Sequence, residues 1–192
     1  NIEPLIDRLI GKHEVWLEIG FGTGEHLAEM AVRYPSVFFV GCEPFINGVA
    51  ALLSKIDDQA LDNILIYSDD ARPFLDILPE QSISKVFLLF ADPWPKAKHK
   101  KRRFVNNVNL DRIARILKDE GEFRFSSDHK DYAIWTHEHL QNHADFHCFN
   151  DLNFDWLSVP KDWIVTRYAE KAQANGVKPI HLQFQRVIRD IQ

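Results

Sequence analysis

Short apolar runs alternate along this chain with stretches whose apolar residues recur every three or four positions. The runs read as buried strands, and the wider spacing reads as amphipathic helix. Expected strands are Val15–Ile19, Val37–Val40, Asn63–Tyr67, Lys85–Phe90, Glu122–Phe125 and Phe146–Phe149. Leu27, Met30 and Ala31 mark a helix stopped by Pro35, and Val49, Leu52, Leu53 and Ile56 mark the next, with Pro44 as its first residue. Phe74, Leu75 and Leu78 predict a short helix. Leu110, Ile113, Ala114 and Leu117 predict another, ended by the turn Asp119–Gly121. Helices are also expected over 2–10 and 130–142. Residues 150–178 are mixed, with a helical stretch from Arg167 to Ala174, and Pro179–Phe184 alternates as an antiparallel last strand should.

This alternation predicts an α/β fold, a mostly parallel doubly wound sheet with right-handed crossovers, formed by residues 1–192 as one domain. Such sheets bind ligands beyond the carboxyl ends of their strands, near the point where strand order reverses. Gly20–Gly24, Glu43, Asp69 with Asp70, Asp92 and Asp128 each end a successive expected strand. They are expected on one rim.

Composition is ordinary for a globular chain, with 45% hydrophobic and 27% charged residues. No apolar run approaches the roughly 18 residues of a membrane-spanning helix. The opening Asn-Ile-Glu-Pro is not a signal peptide, and Cys42 and Cys148 make neither a disulfide framework nor a metal site. A cytoplasmic, reducing location without membrane association is the expectation.

Charge changes the picture. Six cations (Lys96, Lys98, Lys100, Lys101, Arg102 and Arg103) fall within eight positions, in a chain of net charge −5. Without these six of its 23 Lys and Arg residues, the 28 acids would leave a charge of −11. An acidic body carrying one dense cationic loop points to a polyanionic partner. Directly before that loop stands Asp92, in the sequence Asp-Pro-Trp-Pro.

Gly20-Phe-Gly22-Thr-Gly24 follows a strand and opens a helix, where a backbone without Cβ lets a ligand lie close. No Lys-Ser/Thr follows, which excludes a P-loop, and the spacing G-x-G-x-G leans away from a pyrophosphate dinucleotide. Glu43 is placed to accept from two ribose hydroxyls, a feature shared by NAD and S-adenosylmethionine sites. Asp70 suits an adenine amino group. With Glu18, these carboxylates suit a cationic sulfonium bearing an ammonium better than they suit two phosphates.

Leu17-Glu-Ile-Gly-Phe-Gly-Thr-Gly24, Gly41-Cys-Glu43, Asp69-Asp-Ala71, Asp92-Pro-Trp-Pro-Lys96, Lys100-Lys-Arg-Arg103, Ser127-Asp128 and Thr166-Arg-Tyr168 occur in that order. Together they resemble the bacterial tRNA (guanine-N7-)-methyltransferase family, the TrmB type. The resemblance implies a Rossmann-like class I methyltransferase fold, S-adenosylmethionine as cofactor and a variable-loop guanine of tRNA as target. It implies cofactor contacts at Glu18, Gly20, Gly22, Gly24, Glu43, Asp70 and Asp92, with Asp92 also the catalytic acid. Substrate contacts are implied at Lys96, Asp128, Thr166, Arg167, Tyr168 and Glu170, and RNA contacts at Lys98, His99, Lys100, Lys101, Arg102 and Arg103. One position departs: the family's Glu three residues after the Thr is Ala169 here, and Glu170 follows it.

Other readings stay open at this point. Asp92-Pro-Trp-Pro95 is similar to the Asp-Pro-Pro-aromatic motif of amino-group nucleic-acid methyltransferases, and a nicotinamide dehydrogenase or a non-catalytic RNA-binding module would share parts of the pattern. His139, His143 and His147 are four apart but lack the Glu of a zincin motif, so they read as surface histidines.

Overall fold

The computed structural model describes residues 6–9, 11–148, 156–164, 174 and 176–189. Its strands are Val15–Ile19 (β1), Phe38–Cys42 (β2), Ile64–Tyr67 (β3), Ile83–Leu89 (β4), Leu117–Ser127 (β5), Phe146–Cys148 (β6) and Ile180–Arg186 (β7). The helices are Glu25–Arg33 (α1), Ile46–Gln59 (α2), Ala71–Ile77 (α3), Asn107–Ile116 (α4) and Lys130–Gln141 (α5), and Ala97–Arg102 forms a 3-10 turn.

The strands form one sheet in the order β3-β2-β1-β4-β5-β7-β6. β1 to β5 pair in parallel, whereas β7 runs antiparallel to both β5 and β6. Central strands of a parallel sheet are covered on both faces, and every residue of β1 and β2 is buried. Trp16, Phe39 and Phe87 pack on one face with Leu27 and Met30 of α1 and Leu52 of α2. Leu17, Val40, Val86 and Phe123 pack on the other with Phe74, Leu110, Ile113 and Tyr132, contributed by α3, α4 and α5.

Most strand boundaries shift by one to five residues, and three departures have a local cause. Pro44 is not the first residue of α2; Phe45 caps that helix, because the Glu43 carboxylate accepts the Phe45 N–H (3.0 Å) and holds the turn open. Asp119–Gly121 does not end α4. It is a bulge inside β5, where pairing jumps from Ile83↔Leu117 to Lys85↔Glu122 and Glu120 adopts φ +62°. Phe90 falls outside β4 because its φ of +53° breaks the extended backbone. Of the helix expected over 2–10, residues 6–9 are described, with helical backbone at Ile6 and Asp7; of the one expected over 167–174, only Ala174 is.

Candidate active site

β1 and β4 lie side by side, yet α1 leaves β1 toward one face and α4 follows β4 on the other. A crevice must open between two tips that part in this way. It is a cleft of about 580 Å³ lined by Gly20, Gly22, Glu43, Asp70, Asp92 and Trp94, among others. Residues from the ends of four strands therefore meet, as the strand-end pattern predicts.

The floor is the glycine turn after β1. Gly20, Gly22 and Gly24 have φ of +72°, +57° and +73°, a left-handed conformation that a Cβ disfavours. Its shape is fixed from outside by Glu43. One carboxylate oxygen accepts the Gly22 N–H (2.8 Å) and the other the Phe45 N–H (3.0 Å). Each oxygen has a second lone pair, so Glu43 can accept hydroxyls of a bound ligand without releasing the turn.

Asp70 caps α3 by accepting the Arg72 N–H (2.9 Å) and takes both the Nε and an Nη of the Arg72 guanidinium (2.9 and 2.6 Å). That hydrogen bonding holds its carboxyl below the usual aspartate range. Cys42, also in the wall, is a free thiol whose pKa is pushed well up by burial.

Asp92 is exposed on the loop beyond β4. Phe90 on one side and Trp94 (φ +43°) on the other are both left-handed, an arrangement that costs of order 1 kcal/mol or more per residue and must be held by its surroundings. Phe90 N–H donates to Ser126 O (2.8 Å), tying the tip of β4 to β5. The Trp94 ring meets His99 edge-on at 5.9 Å and carries the Arg102 guanidinium 4.9 Å above it. Arg102 also lines the cleft, so the cationic turn forms part of its wall.

Three expected site residues are buried away from the cleft, one of them Gly24, which faces Leu52 of α2. Glu18 alternates with Leu17 and Ile19 along β1, which turns it toward α1. It is 3% exposed, bonds His26 Nδ1 at 2.7 Å, and lines a small recess behind Gly20 and Phe90 rather than the main cleft. Arg103 corrects the reading of the cationic run: its side chain is fully buried and paired with Asp131. Tyr132 and Trp135, 29 and 32 residues further along, supply rings under it (5.0 and 5.2 Å), and these draw it inward. Lys98, Lys101 and Arg102 remain exposed, while His99 and Lys100 are half-buried. Lys96 caps the 3-10 turn, and Asp128 follows β5; both are exposed, and neither lines the cleft. Thr166, Arg167, Tyr168 and Glu170, with Ala169, lie outside the described residues.

The pattern reading missed Gly48. A Cβ there would stand 2.2 Å from Gly22 O, so α2 packs this close to the Gly22 carbonyl because residue 48 has no side chain. A glycine inside an expected helix was the signal available, since it costs about 1 kcal/mol against Ala. Arg72 and His26 were also missed, and neither carries a local signal.

The family model described as "Putative methyltransferase" matches residues 12–182. A tRNA (guanine-N(7)-)-methyltransferase of Chelativorans sp. (strain BNC1) is 46% identical over 184 residues, covering 95% of this chain and 79% of the relative. The enzyme of the same name from Rhizobium meliloti (strain 1021) is 48% identical over 170 residues, 88% of this chain and 73% of that one. The chain belongs to the tRNA (guanine-N(7)-)-methyltransferase family.

Solved structures place this methyltransferase in the class I fold. An rRNA methylase from Streptococcus thermophilus superposes with a TM-score of 0.63 at 10% identity, covering 96% of this chain and 93% of that one. A precorrin-6y C5,15-methyltransferase from Geobacter metallireducens GS-15 gives 0.58 at 15% identity, covering 96% and 87%. At such identities the likeness shows the fold alone.

Proposed function

We propose that this methyltransferase moves a methyl group from S-adenosylmethionine to N7 of a variable-loop guanine in tRNA, forming N7-methylguanosine, and that it acts in the cytoplasm. The observation that carries the reading is the single cleft in which the glycine turn, Glu43 and Asp92 meet beside the cationic turn. Among the described residues no helix is long and apolar enough to cross a membrane.

The residues fit the donor. Gly20 and Gly22 line the cleft with bare backbone, Glu43 keeps lone pairs for ribose hydroxyls, and Asp70 lines it for an adenine amino group. When bound, S-adenosylmethionine supplies an electrophilic methyl on a positively charged sulfur.

Guanine N7 is an unprotonated lone pair, so the reaction requires no general base. Rate then comes from holding N7 in line with the methyl and from fixed charges that match the shift of positive charge onto the purine. Asp92 serves as such a fixed carboxylate. Lys96 donates to guanine O6, the acceptor beside N7. Asp128 accepts from N1–H and the exocyclic amine, which favours guanine over adenine. Thr166, Arg167, Tyr168 and Glu170 complete the substrate contacts, with Glu170 standing in at the family position that Ala169 leaves empty. Lys98, His99, Lys100, Lys101 and Arg102 grip phosphates, which sets register rather than sequence.

The test is labelled donor with unmodified tRNA, followed by nucleoside mass spectrometry. N7-methylguanosine is the expected product. A methyl on an exocyclic amine, or none, would overturn the assignment.

A further inference from the structure

Arg103 ends a run of phosphate-binding character, yet none of its side chain reaches solvent. Its Nε donates to Pro93 O (2.8 Å), and one Nη donates to Asp131 Oδ2 (2.5 Å). The other Nη is buried with no hydrogen-bond partner among the described residues. Taking a guanidinium out of water costs several kcal/mol. An arginine needed only to touch RNA would stay in water, as Lys101 and Arg102 do.

Its contacts run toward the reaction centre. Pro93 follows Asp92 directly and lies between the left-handed Phe90 and Trp94. A loop held in that conformation needs an external tie, and the Arg103–Pro93 bond provides one from the far side. The arginine is itself pinned. Trp135 Nε1 donates to Val105 O (2.7 Å), so the ring beneath the guanidinium is bonded to the segment that carries it. Asp131 is the other anchor: half-exposed, it accepts from Arg103 and, on its second oxygen, from Lys100 (3.0 Å). These two hydrogen bonds keep it ionised, with a pKa of about 2. A continuous path thus links Lys100 on the cationic turn to Asp131, Arg103, Pro93 and Asp92.

We propose that Arg103 is a positioning residue, which fixes Asp92 through the Pro93 carbonyl instead of binding RNA, and that the carboxylate of Asp131 shared with Lys100 ties this clamp to the RNA-gripping turn. The kinetic part rests on the methyl-transfer reading above; the structural part does not.

The discriminating variants are Arg103→Lys, which keeps charge but loses the fork, and Asp131→Asn on the half-exposed partner, which leaves Arg103 in place. Amide exchange at Ala91, Asp92 and Trp94, measured without RNA, should quicken in both, whatever the protein methylates. With unmodified tRNA, kcat at saturation should fall about 10- to 100-fold, while tRNA affinity, its salt slope and binding of S-adenosylhomocysteine stay within about twofold of wild type. Lys101→Gln, as contrast, should weaken tRNA binding and flatten the slope. Unchanged loop exchange in both variants would overturn the clamp. So would weaker tRNA binding and a flatter slope in Arg103→Gln with kcat intact, which would make Arg103 a phosphate ligand. A wild-type chain that transfers no methyl to tRNA, yet shows the loop effect, would sink the reading of function and leave the clamp standing.

Discussion

Glu43 and Gly22 are 21 positions apart in sequence, and the carboxylate of one accepts the backbone N–H of the other at 2.8 Å. The residue proposed to hold the ribose thus also shapes the glycine turn. Glu43→Gln puts an amide N–H₂ against one of two backbone donors, Gly22 N–H or Phe45 N–H. Losing a charge-assisted bond of this kind costs roughly 1.5–3 kcal/mol. Calorimetry with S-adenosylhomocysteine should show affinity down by about 10- to 100-fold, with a lower Tm. Affinity within about twofold of wild type would mean that Glu43 has no part in binding.

Gly48→Ala drives a methyl toward Gly22 O, and backbone cannot swing aside as a side chain can. Overpacking of this sort costs typically 1–3 kcal/mol. Urea unfolding should show a loss in that range, together with weakened donor binding, because α2 and the glycine turn are forced apart. A stable variant with normal donor affinity would show that the close approach is dispensable.

Asp92→Asn retains shape and removes charge from an exposed residue on the loop beyond β4. Removing one preorganised electrostatic group commonly costs 100- to 1000-fold in turnover. Single-turnover methylation of unmodified tRNA should slow by about that much, with tRNA affinity preserved. Near-normal turnover would remove the carboxylate from the mechanism.

With Arg103 inside and Lys96 assigned to guanine O6, four cations of the run remain for phosphates: Lys98, Lys100, Lys101 and Arg102. If all four engage, log K for tRNA should fall with log salt at a slope of roughly −2.8 to −3.6. Binding titrations across a range of potassium chloride concentrations measure it directly. A salt-insensitive affinity would contradict an electrostatic grip.

His181 is 2% exposed, bonded to Ser126 Oγ (2.8 Å) and set against the Trp163 ring at 4.3 Å. Burial lowers its pKa to about 4. The folded chain holds it neutral, whereas the unfolded chain takes up a proton below about 6.5. Stability is therefore fully present above that pH and declines as pH falls toward 4, by about 3 kcal/mol at most. His137, lowered by burial as well, adds to the same trend. Asp70 and Asp131, whose carboxyls are depressed, contribute only below the ordinary aspartate range. Urea unfolding between pH 7.5 and 4.5 should show the decline in wild type and a shallower one in His181→Gln. Equal slopes would show that His181 does not titrate on unfolding.

The central strands were legible because burial on both faces makes them continuous apolar runs, as in Val15–Ile19 and Phe38–Val40. The site was legible for a related reason: strand ends collect on one rim, so Gly20, Glu43, Asp70 and Asp92 could be placed together before any coordinates. The fate of Arg103 was not legible. It has the same charge as its neighbours, and only the rings of Tyr132 and Trp135, brought close by the fold, distinguish it. The orientation of Glu18 was available from strand alternation with Trp16, whose ring packs on the α1 face. The late start of α2 and the bulge in β5 depend on tertiary hydrogen bonds and strand register, which local pattern does not contain.

The parallel register of β1 against β4, with Ile19 opposite Leu88, has a further consequence for how this lineage can vary. Adding or removing a single residue within β4 would invert every later side chain and carry the aspartate away from the glycine bend. Changes in length should therefore be tolerated at the opposite end of β4, in the turn between Pro79 and Ser82, and eliminated from the strand itself.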